Sequence, residues 1–186
     1  MKSSHQKLLL ISTIILLVFA RLLPHPPNFT PLGGIAILGG CYFGKSYLKY
    51  LIPLIAFYIS DLLVSNLLFK SFYPDQSFVF FSSHMIWNYI AIIIIVFIST
   101  LFLKNKNFKN ILGTSLAGAV VFFIISNFGT WMAGTMYSKD FSGLMTCYFA
   151  GLPFLHNTVS SFVLFSAAGY GIIEYGHQLL GKKVLS

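Results

Sequence analysis

Apolar residues fall into six runs along the chain, separated by short polar or proline-rich breaks: residues 8–23, 32–44, 47–69, 78–103, 111–132 and 148–180. A helix needs about 20 predominantly apolar residues to cross the hydrocarbon of a bilayer. Most of these runs reach that length, and few charges interrupt them. The first run contains Arg21 near its end, where a long side chain can reach the interface while its stem stays apolar. After it comes PHPPNFTP, residues 24–31, whose prolines at 24, 26, 27 and 31 forbid helix. The second run is the shortest and rich in glycine, and the third is interrupted by Pro53. The pattern predicts an all-α membrane protein with six transmembrane helices in a single domain over residues 1–186. The first run has the basic start and apolar core of a signal peptide. Past Ala20, however, Arg21-Leu22-Leu23 would make a poor mature start, so an uncleaved first helix is expected.

Composition agrees with this pattern. The chain is 56% hydrophobic and only 9% charged, against roughly 25% charged for a soluble domain. Charge then adds orientation. Cytoplasmic loops carry an excess of Lys and Arg. With the N-terminus inside, Lys2, Lys7, Lys45, Lys49, Lys104, Lys106, Lys109, Lys182 and Lys183 lie inside, and only Arg21, Lys70 and Lys139 of the 12 cations lie outside. That asymmetry predicts a multi-pass membrane protein with both termini inside. The net charge of +8 does not point to nucleic acid, because the lysines are not gathered into one patch.

Gly39–Ser46, GGCYFGKS, fits the phosphate-loop pattern G-x-x-x-x-G-K-[ST], and the apolar run LIAFYISD ends in Asp61 like a second nucleotide motif. A phosphate loop needs a strand before it and a helix N-terminus after it. Here apolar helices flank the motif, so it reads as a tight glycine turn. Cys41 and Cys147 fall at different expected depths, so no disulfide is expected. With no C-x-x-C or H-E-x-x-H, neither a metal site nor a cofactor is indicated.

The informative residues are polar groups within or next to apolar runs. These are costly in hydrocarbon and usually face a bundle interior or a watery cavity. Helix rise places Asp61, Asn127, Trp131, His156 and Asn157 toward the outer side, with His84, Trp87 and Asn88. His25, Asn28 and Thr30 lie in the first outer loop. This convergence is what an outward-opening pocket would look like. Simpler roles exist for each residue. Trp87 and Trp131 suit interfacial anchors, and Ser126 and Asn127 suit interhelical hydrogen bonds. Asp61 can pair with Arg21, and His84 and His156 can be satisfied interface groups.

RLLPHPPNFTPLGGIAILGGCYFG, PLIAFYISDLL, SNFGTWMAGTMY and GLMTCYFAGLPFLHNT resemble a family of small bacterial six-helix membrane proteins of uncharacterised function (DUF6580-like). That family in turn resembles the substrate-binding S-components of energy-coupling-factor transporters. The resemblance implies a six-helix bundle that takes a vitamin-like molecule or metal complex near its outer face, beneath the first loop. It also implies a transmembrane coupling subunit with two ATPases as partners. The alanine-spaced docking motif of S-components is absent from Ser12–Ala20. The resulting expectation is a non-enzymatic protein that captures a small solute. His25, Asn28 and Thr30 lie in a lid, Asp61, Asn127, His156 and Asn157 supply polar contacts, and Phe29, Trp131 and Tyr137 supply apolar area. The rival readings are a non-transporting membrane scaffold and an intramembrane enzyme using the histidines with Asp61.

Overall fold

The computed structural model describes residues 4–44, 46–82 and 85–183. Lys2, Lys45 and His84, named above, lie outside the described residues, as do the side chains of Lys7, Lys182 and Lys183. The described residues form six α-helices and no strand: α1 (Ser4–Ala20), α2 (Leu32–Tyr42), α3 (Leu48–Leu63), α4 (Met85–Phe102), α5 (Phe108–Ala133) and α6 (Phe141–Lys183). A π-helical turn, Val64–Leu68, extends α3, and a short 3-10 turn, Lys70–Phe72, follows it.

Successive helices alternate direction, so the bundle has two ends. One carries the proline loop (residues 21–31), the connection between α3 and α4, and the link between α5 and α6. The other carries the α2–α3 turn, the lysine-bearing α4–α5 loop and the C-terminal part of α6. Among the described residues, three helical segments are long and apolar enough to cross a membrane: Leu48–Leu68, Met85–Phe102 and Phe108–Ala133. Large apolar side chains also point outward, among them Ile15, Phe19, Ile55, Phe97, Leu116 and Ile124. So many exposed large apolar side chains, together with the three spanning-length segments, suit a protein that meets lipid.

α2 differs from the span expected over 32–44. It has 11 residues, all buried, and at 1.5 Å per residue it is about 16 Å long, roughly half the hydrocarbon thickness. It forms the centre of the bundle, packed on α3, α4 and α6. Its glycines explain how a helix fits there. A Cβ on Gly40 would lie 2.6 Å from the Val96 carbonyl oxygen and 2.6 Å from the Ser99 Cβ of α4. One on Gly34 would lie 2.7 Å from the Phe165 Cβ of α6. The bare faces of α2 therefore let neighbouring backbones approach, as small residues do in membrane helix pairs. Its own Ile35, Ile37, Leu38 and Tyr42, and Leu10, Phe57, Ile95, Ile111, Phe162 and Ile173 from the other helices, are all nearly inaccessible.

Two further boundaries shift for local reasons. α4 begins at Met85 and not at residue 78, because residues 78–82 of the apolar stretch before it form an irregular strap. Asn66 holds this strap: its Oδ1 accepts from Val79 N (2.9 Å) and its Nδ2 donates to Val79 O (3.0 Å) and Leu62 O (2.9 Å). α6 starts at Phe141, well before residue 148, because Asp140 caps it. Asp140 Oδ1 accepts from Gly143 N at 2.7 Å and from Ser138 Oγ at 2.9 Å.

The bond from Gly143, and then that from Ser138, hold the Asp140 carboxyl below its ordinary range. A carboxylate depressed in the folded state contributes stability above its unfolded pKa and loses it as pH falls through the folded value. The start of α6 is therefore expected to loosen on acidification from about pH 4 downward. Asp140→Asn should flatten that dependence, read as amide exchange of Gly143 and Leu144 across an acid series.

Candidate polar site at the proline-loop end

Arg21 follows directly on α1 and turns its guanidinium toward α3. Its Nη2 lies 3.0 Å from Asp61 Oδ1, and its Nη1 donates to Ser60 Oγ at 3.3 Å. The two side chains are 13% and 7% exposed. The Arg21 guanidinium also sits 5.7 Å from the centroid of the Phe57 ring, which is fully buried. A charge pair in such surroundings is held by geometry as much as by attraction, since each partner would be uncompensated without the other.

Two cavities meet at this arginine. One, of about 220 Å³, is lined by Arg21, Asn28, Thr30, Asn88, Ser126 and Asn127 among others, so it lies between the proline loop, α4 and α5. The second, of about 540 Å³, runs from Arg21 past His25, Asn28 and Thr30 to Val64, Leu68 and Phe69 at the end of α3. Arg21, Asn28 and Thr30 line both. Asn28 adopts φ +62°, a left-handed backbone that asparagine tolerates better than most residues.

The proline loop is fastened to α6. Asn157 Nδ2 donates to the Pro27 carbonyl at 3.0 Å, and the Phe29 ring packs on Phe165 at 5.6 Å between centroids. Asn157 and Phe29 thus hold the loop in place and do not line either cavity. Asn127 does line the smaller one. Its Nδ2 donates to Phe123 O at 2.8 Å within α5, and its backbone carbonyl accepts from Cys147 Sγ at 3.3 Å. Cys41 and Cys147 are both free and buried.

Of the residues named from the sequence, His25, Asn28, Thr30 and Asn127 come together at the cavities, and Asp61 joins them through Arg21. Trp131, Tyr137 and His156 do not line either one. Trp131 instead organises the link before α6. Its Nε1 donates to Ser138 O at 2.8 Å, its ring packs on Phe128, and Lys139 lies over it. Lys139 also caps the C-terminal carbonyls of α5 at Trp131, Met132 and Gly134. Tyr137 sits in that same link, and His156 is exposed on α6. The sequence reading counted Asn88 among the converging groups and offered Arg21 as a partner of Asp61, but gave neither a contact role in the site; Ser126 and Thr130 were not placed in it. Arg21 was the detectable one, because a lone cation beside an apolar run requires a partner. Among the described residues no group of His, Cys, Asp and Glu is arranged to hold a metal ion.

The model of a family of unknown function (DUF6580) matches residues 1–182, and the chain belongs to that family. Neither a curated protein nor a solved structure matches it.

Proposed function

We propose that this member of the family is a membrane-embedded binding protein that captures a small solute at the proline-loop end of its bundle, in the manner of a transporter S-component. The observation that carries this reading is the pair of cavities meeting on Arg21, Asn28 and Thr30 beneath a loop latched to α6. A roomy concavity with a few convergent polar groups is the usual form of a small-molecule site. The arginine offers hydrogen-bond donors to a carboxylate, phosphate or carbonyl. Asn88, Asn127 and Thr30 offer both donors and acceptors. We assign the chain no catalytic step.

In this reading all six helices lie in the bacterial inner membrane, with α2 as a half-length element enclosed by the others. The lysine excess on the α4–α5 loop and near both termini supports a cytoplasmic position for that end. The proline-loop end then faces outward, and energy for any transport would come from a separate coupling subunit with ATPases.

Native mass spectrometry of the protein taken from its own membranes in mild detergent tests the reading. A reproducible bound mass of a few hundred daltons is expected, lost in Asn127→Ala and Asn88→Ala while the protein stays folded. Retention of that mass in both variants would remove the cavity from consideration. The second reading, a scaffold, is favoured by the pairing of Arg21 with Asp61 and of Asn157 with the loop, because those polar groups already satisfy each other. A chain free of small molecules but carrying a stable protein partner would establish it.

A further inference from the structure

A separate cavity of about 250 Å³ opens at the opposite end of the bundle, between α4 and α5, two of the segments long and apolar enough to cross a membrane. It is lined by Phe102, Lys109, Asn110, Gly113, Thr114 and Ala117. Three features of this place need explaining together. Thr114 is 3% exposed, yet its Oγ1 has no hydrogen-bond partner among the described residues. Its neighbour Ser115, by contrast, donates to the carbonyl one turn back at 2.8 Å. The face of Gly113 is empty, since a Cβ there would meet nothing within 4 Å. The mouth carries Lys109, with Lys104 and Lys106 exposed on the adjoining loop and no acidic residue within it. Lys106 is held with its ammonium 4.1 Å from the Tyr42 ring centroid, and its carbonyl accepts from Tyr170 Oη at 3.2 Å. Glu174, the nearby acid, is engaged by Tyr42 Oη at 2.7 Å.

We propose that this cavity is a binding site for an anionic membrane phospholipid. Lys109 sits one residue inside the start of α5, at headgroup level, and meets the phosphate with support from Lys104. Thr114 lies five residues deeper, about 7.5 Å along the helix. At that depth its free hydroxyl donates to a glycerol ester oxygen. The glycerol region passes over the bare face of Gly113 beside Phe102, and the acyl chain continues past Ala117. Charge selects the occupant: basic pockets between membrane helices attract anionic headgroups, while a zwitterionic lipid gains little from the lysines. The site shares no residue with the proline-loop cavities and stands or falls apart from them.

The test is native mass spectrometry of the full-length protein in detergent, titrated in turn with palmitoyl-oleoyl-phosphatidylglycerol, the matching phosphatidylcholine and inorganic phosphate. The wild type is expected to retain phosphatidylglycerol preferentially. Lys109→Gln should weaken that retention about fivefold. Thr114→Val should weaken it severalfold, and Gly113→Leu, whose Cβ enters open space and whose side chain then occupies the groove, should abolish it. Equal retention of phosphatidylcholine would overturn the proposal, as would displacement of the lipid by inorganic phosphate alone. So would a Gly113→Leu protein that holds phosphatidylglycerol like the wild type. If Gly113→Leu does not fold, unchanged retention in both Lys109→Gln and Thr114→Val is the overturning result.

Discussion

Asp61→Ala should destabilise the folded protein by about 3–5 kcal/mol, because it leaves the Arg21 guanidinium buried without its counter-charge. The pair is 3.0 Å apart with side chains 13% and 7% exposed, so solvent screens it little. Ser60 Oγ at 3.3 Å, a neutral acceptor, cannot replace a carboxylate. Arg21→Met should cost a comparable amount by stranding Asp61. The double variant Arg21→Met/Asp61→Leu removes both charges and should recover most of the loss, since apolar replacement of a whole buried pair is often close to neutral. Unfolding in mixed micelles with rising denaturing detergent measures all three. If the double variant is as unstable as the singles, the pair is not the source of the cost. The same double variant also separates folding from binding. It should stay folded while losing any solute held at Arg21, and a folded double variant that binds as before would move the solute away from this arginine.

Gly40→Leu should have an effect of similar size by a different route. The Cβ alone would lie 2.6 Å from both the Val96 carbonyl oxygen and the Ser99 Cβ. The carbonyl is backbone of α4 and cannot step aside as a flexible side chain would. Overpacking usually costs about 1–3 kcal/mol and occasionally more. Here the added volume meets the helix that α2 packs on most closely, so a loss at or above the top of that range is expected. Gly113→Ala is the internal control. The same kind of change in open space should leave stability unchanged or raise it by about 0.4–1 kcal/mol. Detergent-induced unfolding of the two variants side by side checks this, and equal losses would show that glycine itself, and not contact with α4, matters at these positions.

The helical architecture was legible because apolar runs of near-bilayer length admit few alternatives to helix. α3, α4 and α5 carry that signal most plainly. The central position of α2 was not legible, because hydropathy measures a run's composition and not whether its neighbours enclose it. Its glycines held the clue, but only the positions of Val96 and Phe165 give it meaning. The true start of α6 was hidden because Ser142, Gly143 and Thr146 break the continuous apolar run in its first turns, although Phe141, Leu144, Met145 and Tyr148 keep a helical spacing. The cap from Asp140 sets that start. In the candidate site, polarity within apolar runs led to Asp61 and Asn127, and the proline loop led to His25, Asn28 and Thr30. Composition could not separate residues that line a cavity from those that fasten its rim. Asn157 and Phe29 proved to be fasteners, and Trp131 proved to serve a neighbouring link. The cavity proposed for a phospholipid was hidden too, because residue type does not encode that the Thr114 hydroxyl is buried without a partner or that the face of Gly113 is open.

α6 is continuous over 43 residues, about 65 Å at 1.5 Å per residue, which exceeds the 40–45 Å of a bilayer with its headgroups. It behaves mechanically as a strut. At Asn157 it is tied to the proline loop, and at Glu174, about 25 Å further along, it is tied to Tyr42 at the base of α2. Pro153 lies outside that interval, so no proline hinge separates the two ties. A displacement of the loop that keeps its tie to Asn157 must therefore tilt or slide the whole strut. It would then load the Tyr42–Glu174 bond as leverage at the far side of the bundle.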